Sequence, residues 1–234
     1  MPLLLGIDPL YIIFVFLPSL AIGGLASWMT KSAFRKYSRV GNRNGLSGAD
    51  AAAEMLKRNG VKNVSIQETG GLLSDHYNPM SRSLNLSRDV YHGRSLAAVG
   101  IACHEAGHAI QHAHGFAPLW ARTAMVPLTN ICSSLYIVPI IIGIFMHFKP
   151  LLIVGIVMCG VALVFSVVTL PVEWDASRRA KIAINNAGLL THDEARHAAT
   201  VLNAAFLTYV AAVVSALLTL LYWLLRGGLL GGDD

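Results

Sequence analysis

The residues best suited to chemistry lie in one run, Ala102-Cys103-His104-Glu105-Ala106-Gly107-His108-Ala109-Ile110-Gln111-His112. His104 and His108 are four apart, so on a helix their imidazoles project from one face a turn apart. Two such nitrogens can meet one Zn²⁺ at about 2.0–2.1 Å. Glu105, beside the first histidine, is placed to take a proton from a water held by that ion. Gly107 is read as removing bulk beside the second histidine. A catalytic zinc also needs a third protein ligand and one open position. The chain has only five glutamates, at positions 54, 68, 105, 173 and 194. Glu173 stands just past a long apolar run and is followed by Asp175, Arg178 and Arg179, which makes it the leading candidate. His112 and His114 are rivals on the first helix, although a third ligand one turn further along would have to curl around the ion.

The elements that must hold these residues are legible from punctuation and periodicity. Ser95–His114 reads as one long helix, stopped by Gly115 and Pro118. Ser47 with Asp50 forms a capping box ahead of a helix over Ala51–Arg58, closed by Asn59-Gly60. Alternation predicts a strand over Val61–Gln67. Leu72–Tyr77 and Ser83–Leu86 are expected to pair around Asn78-Pro79. Ser87 is expected to cap a short helical turn. Pro171 marks a kink or a fresh helix start, with helix continuing to about Asn186 and Gly188 as its stop. Thr191 with Glu194 is a second capping box.

Composition supplies the setting. The chain is 54% hydrophobic and 13% charged, against about 25% charged in an ordinary soluble domain. Four runs without Asp, Glu, Lys or Arg are long enough to span a hydrocarbon core: Leu10–Met29, Val126–Phe148, Leu151–Leu170 and Ala204–Leu225. The first lacks a basic leader and is as long as a full span, so it reads as a retained anchor. Pro139 is expected to kink the second, and Asn130 to bond between helices. Lys31, Arg35, Lys36, Arg39, Arg122, Arg178, Arg179, Lys181 and Arg196 flank one side of the spans, with only Lys149 and Arg226 on the other. By the positive-inside rule, residues 31–125 and 171–203 are cytoplasmic. The net charge of +5 is explained by basic residues beside anionic lipid and calls for no nucleic acid. Cys103, Cys132 and Cys159, an odd number without paired spacing, read as buried reduced thiols. The terminal Gly231-Gly232-Asp233-Asp234 reads as disordered.

Four segments carry a family resemblance: Asp75-His76-Tyr77-Asn78-Pro79, Leu84-Asn85-Leu86-Ser87, His104 to His112, and Pro171-Val172-Glu173-Trp174-Asp175-Ala176-Ser177-Arg178-Arg179-Ala180. Together with the span pattern they resemble the YugP-type membrane zinc metallopeptidases. That family is similar to the wider gluzincin class, which includes the HtpX and CAAX-processing proteases. The resemblance implies that Glu173, on a later helix, is the third ligand of a single Zn²⁺. Those relatives usually carry Asp four residues after the glutamate, where this chain has Ser177; its aspartate stands two after, at Asp175. Asp175 is a candidate for holding a ligand histidine in its tautomer.

The expected fold is mainly α: a multi-pass membrane protein with four transmembrane helices and a small cytoplasmic α+β zincin-like domain carrying the His-Glu-x-x-His helix. Its expected parts are an anchor (1–30), a cytoplasmic metalloprotease region (31–125), a two-span hairpin (126–170), a cytoplasmic helix bearing the third ligand (171–203), and a last span with tail (204–234). The expected activity is hydrolysis of membrane-associated or juxtamembrane protein substrates by a zinc endopeptidase of the plasma membrane, with its site at the cytoplasmic interface. Tyr77, His197, Arg178 and Arg179 are candidate oxyanion donors, and Ser81–Ser87 a candidate edge strand for extended substrate. A non-catalytic zinc-binding scaffold or chaperone is the alternative, and it would not require Glu105. A metal transporter would need ligands inside the spans, which hold no acidic residue.

Overall fold

The computed structural model describes residues 8–71 and 74–229. Part of the strand expected over Leu72–Tyr77, and the terminal Gly-Gly-Asp-Asp, lie outside the described residues. The elements in order are α1 (Pro9–Tyr37), α2 (Gly48–Arg58), β1 (Ser65–Thr69), β2 (His76–Asn78), β3 (Ser83–Ser87), α3 (Arg88–Tyr91), α4 (Leu96–Ala113), α5 (Ala117–Leu135), α6 (Ile137–Phe145), α7 (Lys149–Asn186) and α8 (His192–Arg226). They divide into two compact units. One comprises residues 27–120 and 171–207, the other 1–26, 121–170 and 208–234.

In the first unit α2 opens on a full capping box. The Asp50 N–H donates to Ser47 Oγ, and the Ser47 N–H donates to the Asp50 carboxylate, both at 3.1 Å. Gly48 lets this helix start against the Val90 carbonyl and the Ala102 side chain, where any Cβ would collide. The sheet has the order β1-β3-β2, with β1 parallel to β3 and β2 antiparallel to it. Leu84 and Leu86 of β3 are fully buried in a core shared with Met55 and Leu56 of α2 and Val99, Cys103, Ala106 and Ile110 of α4.

Several expectations need correction here. The first apolar run, expected over Leu10–Met29, lies in a helix that runs on to Tyr37 and carries Lys31, Arg35 and Lys36. The first strand begins at Ser65, where its N–H first finds a partner in Arg82 O at 3.1 Å. The preceding Val61 and Val64 pack on the core from a loop. Ser87 precedes α3 but does not cap it with its side chain; its N–H and hydroxyl both donate to Asp75. The segment Ser81–Ser87 is no edge, because β3 is the middle strand; the outer strand on that side is β2. Pro171 lies inside α7, so no fresh helix starts there.

The second unit is built from apolar helix. Among the described residues, three helices (α1, α7 and α8) are long and apolar enough to cross a membrane, or four if α5 and α6 count as one span. The run Val126–Phe148 is therefore not one straight span: α5 and α6 meet at Tyr136 with a bend of about 40°. Pro139 explains the place. Its ring meets the carbonyl four residues back, at Leu135, and it has no N–H to offer. Gly143 and Gly155 let α6 and α7 approach: a Cβ at Gly143 would lie 2.6 Å from Leu152 N, and one at Gly155 would lie 2.8 Å from Tyr136 O. Ile140, Ile156, Cys159 and Trp223 fill the middle, while Phe14, Leu17, Ile131, Ile141 and Val157 stand outside. Apolar side chains turned outward around a small core suit lipid rather than water. Near the chain's ends, Asp8 accepts from the Tyr222 hydroxyl at 2.6 Å and faces Arg226 at 3.3 Å.

Candidate metal centre

Helix α4 is capped by Ser95, whose hydroxyl accepts from Ala98 N at 3.1 Å, and is followed, after His114, by Gly115 with φ +66°. The helix is buried along most of its length. His104 and His108 extend from one face, ring centroids 4.8 Å apart and nearly perpendicular. Across from them, on α7, stands Glu173, 1% exposed. Its Oε2 lies 3.2 Å from His104 Nε2 and 3.6 Å from His108 Nε2. The ligand atoms of all three lie within 4.8 Å of one another. Two imidazoles and a carboxylate closing on one point are the donor set of a catalytic zinc site. The residues present therefore fit the ion.

Close helix approach makes this possible. A Cβ on Gly107 would lie 2.7 Å from the Ala176 carbonyl oxygen and 3.1 Å from its Cα. Gly107 thus clears space for α7.

Electrostatics follow from enclosure. Burial on its own raises the Glu173 carboxyl. The hydrogen bonds and charges of His104 and His108 outweigh it and hold the group well below the usual carboxylate range. His108 is the mirror case: burial lowers it, but the Glu173 hydrogen bond and the charges of Glu105 and Glu173 leave it raised. The Glu105 carboxyl is pushed up, mainly by burial, with the two histidines opposing and Glu173 assisting. Glu105 accepts from the Tyr77 N–H of β2 at 3.1 Å.

A second layer of contacts was only partly foreseen. His104 Nδ1 meets Ser177 Oγ at 3.1 Å. His108 Nδ1 meets Gln111 Oε1 at 3.0 Å, and Gln111 Nε2 donates to Val172 O at 2.7 Å and to Asp175 Oδ2 at 3.0 Å. Asp175 also receives Arg179 Nε at 2.6 Å. Asp175 therefore reaches a histidine only through Gln111. The residue that touches His104 is Ser177, at the position that had looked like a departure from the family pattern. Gln111 was missed, although its place three residues after His108 on the same helix face was a usable signal.

The remaining candidates are engaged elsewhere. His112 Nδ1 pairs with the Tyr77 hydroxyl at 2.8 Å, and its ring lies 5.2 Å from that of Trp120. His114 is the exposed residue that closes α4. His197 stacks on Tyr37 with centroids 5.0 Å apart, and Arg178 covers the Trp174 ring at 5.6 Å.

Residues 11–227 match the family described as "Putative neutral zinc metallopeptidase". The chain is 39% identical over 212 residues to the "Putative membrane protease YugP" of Bacillus subtilis (strain 168), covering 89% of this chain and 94% of that protein. No solved structure matches it.

Proposed function

The chain belongs to the neutral zinc metallopeptidase family, and from that premise we propose that it is a membrane-bound zinc metalloendopeptidase. His104, His108 and Glu173 would hold one Zn²⁺, and Glu105 would be the catalytic base. The observation that carries this reading is the approach of Glu173 to both histidines from a helix some 65 residues further along the chain. Zinc, when bound, supplies a Lewis acid that polarises a carbonyl and makes water acidic. Glu105 would take the proton of the attacking water and return it to the leaving amine. Burial raises its affinity for protons, which favours the first half of that cycle. The Tyr77 N–H fixes the Glu105 carboxylate. Because that N–H turns away from β3, an extended substrate would lie along the outer edge of β2.

The proposed substrates are membrane-associated or juxtamembrane proteins, cut at the cytoplasmic face of the plasma membrane. Glu173 stands three residues past the apolar run that ends at Leu170, about 5 Å along a helix. Trp28 lies at the end of the first run, Trp120 six residues before the second and Trp174 four past the third, all on the same proposed side, and each is more than half exposed. Such amphipathic rings suit the headgroup level.

The decisive comparison is wild type against Glu105→Gln, measuring bound zinc and peptidase activity on membrane proteins. The variant should keep its zinc and lose at least about 100-fold in rate. Zinc binding without cleavage in wild type would favour the scaffold alternative. Profiling new N-termini in membranes of cells carrying either form would identify the substrates.

A further inference from the structure

We infer that Gln111 fixes the tautomer of His108, and that Asp175 and Arg179 hold Gln111 to that task; this rests on the zinc reading above. The Gln111 side chain is fully buried. Its amide nitrogen faces two oxygens, Val172 O at 2.7 Å and Asp175 Oδ2 at 3.0 Å. A backbone carbonyl only accepts. The Asp175 oxygen also receives the Arg179 guanidinium at 2.6 Å, so it too accepts. Both N–H groups of the amide are thus committed. The amide cannot turn over, because its oxygen would then face two acceptors.

The Gln111 atom 3.0 Å from His108 Nδ1 is therefore the carbonyl oxygen, which has no proton to give. A hydrogen bond there requires the proton on Nδ1. A neutral imidazole carries one N–H, so its lone pair is left on Nε2, the nitrogen turned to Glu173. That is the form in which a histidine ligates a divalent metal. Helical spacing sets both halves of the chain of contacts: His108 and Gln111 are three apart on α4, and Asp175 and Arg179 are four apart on α7. The Gln111 amide joins these two halves across the helices. His104 is held differently, because the Ser177 hydroxyl either donates or accepts and so leaves its tautomer open. Gln111, Asp175 and Arg179 are positioning residues; none touches the proposed metal position.

The test uses the full-length protein in detergent micelles. In metal-free wild type labelled with ¹⁵N-histidine, the proton–nitrogen correlations of His108, recorded under mildly alkaline conditions, should show the proton on Nδ1. A neutral ring with its proton on Nε2 and a bare Nδ1 overturns the proposal, and this readout needs no metal. Zinc affinity by chelator competition and the visible spectrum of the Co²⁺ form supply the second arm. Gln111→Leu should weaken zinc about 10- to 100-fold and shift the Co²⁺ bands. Asp175→Asn, which keeps an accepting oxygen for the amide, should stay near wild type, whereas Asp175→Ala should follow Gln111→Leu. Unchanged affinity and spectrum in Gln111→Leu overturn the assignment. A wild type that binds no zinc overturns the metal reading, and the correlations still decide the tautomer.

Discussion

At the scale of single residues, the candidate centre depends on a carboxylate kept ionised in a dry place. Glu173 is 1% exposed, yet the two imidazoles outweigh the cost of burying its charge. Glu173→Gln preserves the shape and removes the charge. It should lower zinc affinity by about tenfold or more, read by the same chelator competition. Cys103 sits one residue before His104 but on the buried side of the helix, where burial pushes its thiol up to about 12. At pH 8 it stays protonated, and a thiol is a poor nucleophile compared with its thiolate. Peptide mapping after maleimide treatment should find Cys103 unmodified in the folded protein and modified in denaturant. Rapid labelling of the native state would mean that α4 opens.

At the scale of elements, the contact between α4 and α7 carries the geometry, and two glycines of α4 separate its causes. A methyl group at Gly107 would press on the Ala176 backbone, whereas at Gly100 it would meet the Ala198 Cβ at an ordinary 3.5 Å. Gly107→Ala should therefore cost about 1–3 kcal/mol through overpacking. Gly100→Ala should be neutral, or stabilising by up to about 1 kcal/mol through helix propensity. Thermal unfolding of the two metal-free variants tests the pair. Equal effects would refute the close-approach account. The sheet contributes differently. Asp75 binds the backbone and hydroxyl of Ser87, tying the segment before β2 to the end of β3, and β2 in turn presents the Tyr77 N–H to Glu105.

At the scale of the whole molecule, the proposed orientation is testable without any substrate. Met80 is 90% exposed and far in sequence from every apolar run, while the three native cysteines are buried. A Met80→Cys variant in intact cells should resist a membrane-impermeant thiol reagent and react once the inner membrane is opened. Labelling in intact cells would reverse the proposed topology. Chelator treatment should abolish peptidase activity, and added zinc should restore it.

Local rules reached far into this chain. The apolar runs, the long helix from Ser95 to His114, the capping box at Ser47 and the family resemblance follow from neighbours in sequence, because helical periodicity and caps are set within a few residues. The strand limits did not, since a strand begins only where a partner offers an acceptor, as Arg82 does for Ser65. Nor did the place of β3: Ser81–Ser87 alternates as an edge strand would, and only pairing on both sides makes it central. The role of Ser177 lay out of reach, as did the contacts of Gln111 across to α7. Their partners stand 61 to 73 residues away, and which polar groups meet across two helices is fixed by how closely the helices pack. Residue types and spacing thus determined the chemistry available to this protein. Which side chains meet to perform it was decided by the approach of α7 to α4 over Gly107.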